Sequence, residues 1–199
     1  MFGTITVQTA GSGSSTYFST GFDVVGGNDD IVLNGTSITG FTTAFEQTGG
    51  SLSLIGSALL SADDYGADLD NVDVSSNGAS LVTTSATGVG MYFTGGGSLN
   101  LVDLSTDSAR GVYVDGETDG EFDWNGGTIS SGTGLYAVDK AVGDIQNMTW
   151  SDADVQIHAG DNTKITSVGN TLDPSKMSVS STGEVYEANL LDLDVTHSN

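Results

Sequence analysis

The chain of 199 residues carries 26 acidic side chains against 4 Lys and Arg, which gives a formal net charge of −22. A field of this sign repels phosphate backbones, so the composition excludes nucleic acid as a partner. It also disfavours anionic membrane surfaces, and no apolar run is long enough to insert into a bilayer. The chain has no Cys, which leaves the redox compartment open. The acidic surface, rich in Ser, Thr and Gly and poor in Lys, favours an extracellular or cell-surface location.

Three short stretches repeat one pattern along the chain: IVLNGTSI at 31–38, LSLIGSAL at 52–59 and FDWNGGTI at 122–129. In each stretch apolar and other residues alternate, a break containing Gly follows, and a second apolar segment resumes. Alternation with a period of two predicts strands. Gly and Asn at the break supply the left-handed backbone conformations that tight turns need. The sequence therefore predicts several short strands in each repeat and no helices.

Two further landmarks give the length of the repeat. Gly97, Gly120 and Gly143 each open a strand-like unit and follow one another at intervals of 23 residues. The segments GMYF at 90–93, GVYV at 111–114 and GLYA at 134–137 recur at intervals of 21 and 23 residues. A period near 22 falls within the length range of leucine-rich repeats. The regularly spaced Leu and Asn residues of those repeats are absent, which argues against that fold.

This combination of period and pattern resembles the repeats of right-handed parallel β-helix proteins, an architecture shared by pectate-lyase-like enzymes, tailspikes and many surface proteins. The resemblance covers roughly residues 20–195 and includes no signature motif. It implies an all-β fold, a right-handed parallel β-helix forming a single domain over residues 1–199, with about nine coils of roughly 22 residues each. Similar side chains would stack in columns inside the coils. We expect Trp124 in the core, together with a column formed by Tyr92, Tyr113 and Tyr136.

Neither end of the chain looks like an amphipathic cap, since TITV at 4–7 and LLDLDVTHSN at 190–199 both read as strands. Uncapped solenoid ends expose unpaired strand edges. We therefore expect the chain to be part of a larger surface protein, or to stack through its open ends against other copies of itself. A capped monomer is the alternative.

The densest polar segment is DGETDGEFD at 115–123, which contains the five candidate metal ligands. These candidates are Asp115, Glu117, Asp119, Glu121 and Asp123. The first part of the segment resembles a calcium-binding EF-hand loop, but the position of the bidentate Glu is occupied by Gly126 and flanking helices are absent. Calcium is the one cofactor that the sequence raises, and a solvated acidic turn is the alternative.

Enzymes with this architecture supply a second interpretation. The resemblance implies that paired aspartates on one wall act as general acid and base in polygalacturonase-like hydrolases, and that a lyase uses calcium with an Arg or Lys base. The acidic candidates are Asp29 with Asp30, Asp63 with Asp64, and the looser set Asp68, Asp70 and Asp73. The basic residues are Arg110, Lys140, Lys164 and Lys176. The glycine-flanked His of the hydrolases has no counterpart, which leaves enzymatic activity uncertain and the absence of catalysis favoured.

The sequence thus favours a non-catalytic module that serves as a rigid structural, adhesion or assembly element and binds carbohydrate or calcium. One alternative is a polysaccharide lyase or glycoside hydrolase. The other is the self-stacking subunit of a filament or fibre. An enzyme would require a groove lined by acidic residues together with Arg110, Lys140 or Lys164.

Overall fold

The computed structural model describes residues 6–8, 18–24, 29–77, 80–84, 87–101, 104–116 and 121–188. Strands account for 71% of the structure and helix for 2%. The helical part of the described residues is one 3-10 turn, Pro174–Lys176, in which the Ser175 amide donates to the Asp173 carboxylate. None of the helical structure in these ranges has the length and apolar character needed to cross a membrane.

The described strands follow one another along the chain with short connections. In order, they are β1 (Thr6–Gln8), β2 (Phe18–Val24), β3 (Asp30–Asn34), β4 (Ser37–Thr48), β5 (Ser51–Ile55), β6 (Leu59–Asn77), β7 (Ser80–Thr84), β8 (Val89–Leu101), β9 (Leu104–Asp107), β10 (Arg110–Asp115), β11 (Glu121–Asn125), β12 (Thr128–Ile129), β13 (Thr133–Val138), β14 (Val142–Gln146), β15 (Thr149–Trp150), β16 (Val155–Ala159), β17 (Lys164–Val168), β18 (Met177–Val179) and β19 (Glu184–Ala188). The longest strands, β4, β6 and β8, bend around corners and contribute to more than one wall of the solenoid.

All strand pairings among the described residues are parallel, and they form three ladders that we call walls. Wall 1 comprises residues 6–8, 37–39, 59–62, 80–84, 104–107, 128–129 and 149–150. Wall 2 comprises residues 18–24, 41–48, 65–70, 89–94, 110–115, 133–138, 155–159 and 177–179. Wall 3 comprises residues 30–34, 51–55, 73–77, 97–101, 121–125, 142–146, 164–168 and 184–188. The chain visits walls 1, 2 and 3 in turn and then begins the next coil.

The structure confirms the predicted parallel β-solenoid, with about seven turns. The expected number of nine coils was too high. That number came from dividing the length of the whole chain by the period, whereas the described strands extend over residues 6–188. Adjacent rungs of such a stack lie about 4.8 Å apart, so seven turns extend for about 34 Å.

The repeated eight-residue pattern has one structural meaning in all three places. Each copy is a strand of wall 3, a corner, and the start of the next strand of wall 1. At the corner Gly35 and Gly126 have φ angles of 57° and 80°, which an L-residue adopts only at a cost. The Gly35 amide donates to the Ile55 carbonyl of the next coil at 2.9 Å. Each corner is therefore hydrogen-bonded to the next, which requires similar residues in successive coils.

The core consists of side chains that point inward from the three walls and stack on their equivalents. Along wall 2 the inner column runs through Phe45, Ala67, Met91, Val112, Leu135 and Ile157, all of them 0% exposed. Along wall 3, Trp124 stacks between Leu99 and Ile145 and is 1% exposed, as the sequence predicted. Its indole Nε1 donates to the Gly126 carbonyl at 2.8 Å, which satisfies the buried donor.

One glycine landmark has a different register from the one that the sequence indicated. Gly97 and Gly143 are paired with Phe122 and not with Gly120, which lies outside the described residues. A large side chain thus stacks between two positions that have none. Because interiors are close-packed, this alternation leaves room for the Phe122 ring.

Candidate functional site

The outer face of wall 2 carries a ladder of aromatic side chains, which we call the tyrosine ladder: Tyr65, Tyr92, Tyr113, Tyr136 and His158. In register, Tyr92 is paired with Tyr113, Tyr113 with Tyr136, and Tyr136 with His158. The expected placement of Tyr92, Tyr113 and Tyr136 in the core was wrong. Their strand neighbours fill the core, and alternation of side chains along a strand then directs the tyrosines to the solvent side, where they are half-buried.

The rings of the ladder contact one another from rung to rung. Ring centres are 5.4 Å apart between Tyr65 and Tyr92, 5.0 Å between Tyr92 and Tyr113, and 4.9 Å between Tyr113 and Tyr136. The last two pairs meet edge to face, which the quadrupoles of the rings favour. The His158 ring lies flat against Tyr136, with a centre-to-centre distance of 4.3 Å and an interplanar angle of 6°. Successive coils are thus joined by aromatic contacts on the outside as well as by the core.

The only arginine of the chain, Arg110, contacts the rings of the ladder. The Arg110 guanidinium carbon is 4.4 Å from the centre of the Tyr136 ring and 5.5 Å from that of Tyr113. At these distances the positive charge is stabilised by the negative face of the ring. Burial, and secondarily the Arg110 charge, lower the pKa of His158 below its usual value. His158 is therefore neutral near pH 7, and its Nδ1 lies 3.0 Å from the Ser178 hydroxyl.

Carboxylates border the other half of the ladder. Asp68 is paired in register with Tyr92, and Glu46 is paired with Asp68 one rung earlier. Burial raises the pKa of Asp68 to about 6, with further contributions from the Glu46 and Asp70 charges. A carboxyl group with a pKa this close to neutrality is typical of functional sites. Structural networks of charged groups also produce such shifts.

A further carboxylate bonds directly to the ladder. The Tyr92 hydroxyl donates to Asp115 Oδ2 at 3.1 Å. Burial raises the pKa of both Tyr92 and Tyr113, and the nearby Asp115 carboxylate raises it further, so both phenols remain protonated hydrogen-bond donors. Wall 2 therefore offers aromatic faces, phenolic hydroxyls and carboxylate acceptors on one surface.

From β5 to β14, the outer face of wall 3 has a different chemistry, with mainly polar side chains in place of rings. Ser98 Oγ donates to Asp73 Oδ1 at 2.6 Å, and the Ser53 and Ser75 hydroxyl oxygens are 3.0 Å apart. Asn147 Nδ2 donates to Asn125 Oδ1 at 2.7 Å. These groups satisfy one another across the rungs. A single ring, that of Tyr186, is exposed among the described residues of wall 3, at its last strand β19, where the Lys164 ammonium nitrogen lies 5.4 Å from the ring centre.

The structure distributes the predicted metal ligands over two walls. Asp115 ends β10 on wall 2, whereas Glu121 and Asp123 project to the outside from β11 on wall 3. Glu117 and Asp119 lie outside the described residues. In the described part of the chain, no group of three or more His, Asp or Glu side chains is arranged to hold a metal ion. Calcium binding by the complete set of five stays a prediction.

The predicted acidic and basic candidates also separate. Asp68 and Asp70 lie on wall 2 with Arg110, whereas Asp73 lies on wall 3. Lys140 occupies the corner between walls 2 and 3, where it lines a shallow pocket of about 330 Å³ with Asp139, Asp161 and Asn162. Among the described residues, wall 2 alone places a carboxyl group of raised pKa beside aromatic rings and a cation.

Glu46 and Tyr65 were not predicted to belong to this surface, and His158 was not predicted to lie beside the tyrosines. The signal was present in the segments GMYF, GVYV and GLYA, because an apolar residue stands on each side of the tyrosine in all three. In a half-buried strand these flanking residues point inward and the tyrosine points outward. Comparison of the chain with protein-family models, curated protein sequences and solved structures found no match.

Proposed function

We propose that this chain is a non-catalytic β-solenoid module that acts outside the cell or on its surface as a rigid structural, adhesion or assembly element. Its tyrosine ladder is the surface that contacts carbohydrate. The observation that carries this proposal is the outward row of Tyr92, Tyr113 and Tyr136 on consecutive rungs. Aromatic rings with neighbouring hydroxyl and carboxylate groups provide the apolar faces and hydrogen bonds that sugar rings require.

The charge and the packing of the molecule support the same proposal. Successive rungs are joined by parallel pairing on walls 2 and 3, and also on wall 1 as far as β15, so the stack resists bending and suits a spacer. A net charge of −22 keeps such rods apart and soluble. Because the ladder is preformed by ring-to-ring contacts, binding would order few additional side chains.

Retention on insoluble polysaccharides tests the carbohydrate role. The panel contains neutral, acidic and amine-bearing polymers, and the proteins are the wild type, Tyr113→Ala and the control Ser75→Ala on wall 3. We expect retention of the wild type and of Ser75→Ala on at least one polymer, and about tenfold weaker binding by Tyr113→Ala. Wild-type protein that is retained by no polymer, or variants that bind equally, would contradict the proposal.

A glycoside hydrolase is the second candidate, and the raised pKa of Asp68 is the observation that favours it. A protonated carboxyl group can serve as a general acid, and the neighbouring Glu46 or Asp70 carboxylate as its base. Release of new reducing ends from the same polymers measures this activity. Release that disappears in Asp68→Asn would establish the hydrolase and contradict the non-catalytic module, whereas no release from any polymer would exclude a hydrolase acting on the panel.

A further inference from the structure

The tyrosine ladder already binds one cation of its own. Arg110 lies over Tyr136 and Tyr113, at 4.4 and 5.5 Å from the ring centres. The rings are therefore placed so that a positive group can approach them from the solvent side. In this half of the ladder the protein itself supplies that group.

The first half of the ladder, Tyr65 and Tyr92, has aromatic rings but no cationic side chain over them. In the two preceding coils, the register places Val89 and then Tyr65 at the position of Arg110. The Tyr65 and Tyr92 rings have centres 5.4 Å apart. Within the described ranges, which include every Lys and Arg of the chain, none lies over either of these two rings.

Carboxylates surround this same half of the ladder. Asp68 is in register with Tyr92, Glu46 precedes it by one rung, and Asp70 follows two residues later on the same outer face. Asp115 accepts a hydrogen bond from Tyr92. Burial and repulsion from Glu46 and Asp70 raise the pKa of Asp68 to about 6, and a cation bound here would relieve that repulsion.

We propose that this half of wall 2 binds a linear polysaccharide carrying free amino groups, with its ammonium groups placed over Tyr65 and Tyr92 and beside Asp68. The inference rests on the proposed carbohydrate function and names the class of ligand. Aromatic faces bordered by carboxylates attract cations, and the net charge of −22 attracts a polycation and repels an acidic polymer. Because rungs recur about every 4.8 Å, an extended chain along the axis meets one rung after another.

Titration calorimetry on the full chain tests the charge requirement. The probe is a glucosamine hexasaccharide, and the N-acetylglucosamine hexasaccharide has the same backbone without the charge. We expect the amine-bearing oligomer to bind at least about tenfold more tightly, with a difference that shrinks as salt is added. Equal affinity for the two oligomers would overturn this inference while leaving the carbohydrate function intact. Tighter binding of a lysine oligopeptide than of the glucosamine oligomer would overturn the choice of a polysaccharide.

Variants locate the binding surface. Asp68→Asn and Tyr92→Leu are each expected to weaken binding of the glucosamine oligomer about tenfold, whereas Ser75→Ala on wall 3 is expected to leave it unchanged. Asp68→Asn removes a carboxyl group that is costly to ionise, so we expect this variant to fold at least as stably as the wild type. A loss of affinity in a stable Asp68→Asn protein therefore reports on the ligand, and unchanged affinity in it would overturn the placement on wall 2.

Discussion

Walls 2 and 3 of the same solenoid have similar interiors and different exteriors. Their inner columns are mostly apolar, as shown by Leu135 on wall 2 and Leu99 on wall 3, which are 0% and 1% exposed. On the outside, wall 2 carries a row of rings in contact with one another, whereas wall 3 carries mainly Ser, Asp and Asn side chains that bond to one another, and its exposed Tyr186 belongs to no such row. The inner columns therefore stabilise the coil, whereas the outer columns are free to differ in chemistry from wall to wall.

Truncation of a side chain in the inner columns is expected to lower the free energy of unfolding more than any other change. The loss should be similar on walls 2 and 3. Trp124→Ala on wall 3 removes a fully packed side chain and its hydrogen bond, and Leu135→Ala on wall 2 opens a cavity in the same core. We expect the free energy of unfolding to fall by about 3–5 kcal/mol and about 2–5 kcal/mol, respectively. Urea unfolding measures both. A loss below about 1 kcal/mol for either variant would mean that its column is not part of the core.

Substitutions in the outer columns are expected to lower the free energy of unfolding more on wall 2 than on wall 3. Tyr113→Ala removes ring contacts to Tyr92 and Tyr136, each worth about 0.5–1.5 kcal/mol. Ser98→Ala on wall 3 removes one exposed hydrogen bond to Asp73 and is expected to cost at most about 1 kcal/mol. The same urea experiment compares them. Equal losses of unfolding free energy for the two variants would show that the ring contacts of the ladder stabilise the fold no more than an exposed hydrogen bond does.

The acidic border of the ladder makes wall 2 sensitive to pH. The pKa of Asp68 is about 6 in the folded chain, above its ordinary value of 3.8. Between these values the unfolded chain has lost the proton while the folded chain retains it, so this group lowers the free energy of unfolding as pH rises through that window. We expect Asp68→Asn to be more stable than the wild type by about 1 kcal/mol at pH 7, after allowance for solvent screening, and by nothing below pH 3.8.

Thermal unfolding across this pH range tests the Asp68 prediction. Asp154→Asn is the matched control, because it replaces an exposed aspartate outside the ladder. The difference between the two variants should appear on going from acid to neutral pH. A stabilisation of Asp68→Asn that is the same at every pH would contradict the assignment of the effect to ionisation.

The smallest expected effect concerns the corner that joins the two walls. Lys140 has a φ angle of 70°, a left-handed conformation that costs a side chain about 1–2 kcal/mol and glycine very little. Lys140→Gly regains part of that energy but increases the freedom of the unfolded chain. We therefore expect a net stabilisation of about 0.5 kcal/mol in the same thermal assay. Destabilisation would mean that the Lys140 side chain contributes contacts at this corner that outweigh the backbone cost.

The sequence was sufficient to predict the solenoid, and the apolar residues on both sides of each tyrosine also indicated its outward direction, which the prediction of a buried column overlooked. The period and the Gly-containing corners predicted parallel coils because each coil must match its neighbours. Tyr92 and its equivalents were placed inside with the other recurring side chains, although Tyr is only intermediate in its tendency to be buried. Their neighbours Met91 and Phe93 already fill that space. Asp68 and Asp115 lie close to Tyr92 although they are 24 and 23 positions away from it in the sequence. Because the coils differ in length, the sequence alone does not show which residues are paired between successive coils.

Nuclear magnetic resonance of the isotope-labelled chain during titration with the glucosamine hexasaccharide can show directly whether wall 2, with its tyrosine ladder, is the binding surface. We predict chemical-shift changes concentrated on Tyr65, Tyr92 and Asp68 of wall 2, with the resonances of Ser53 and Ser75 of wall 3 unchanged. Shifts centred on wall 3, or resonances that remain unchanged on both walls at saturating ligand, would contradict it.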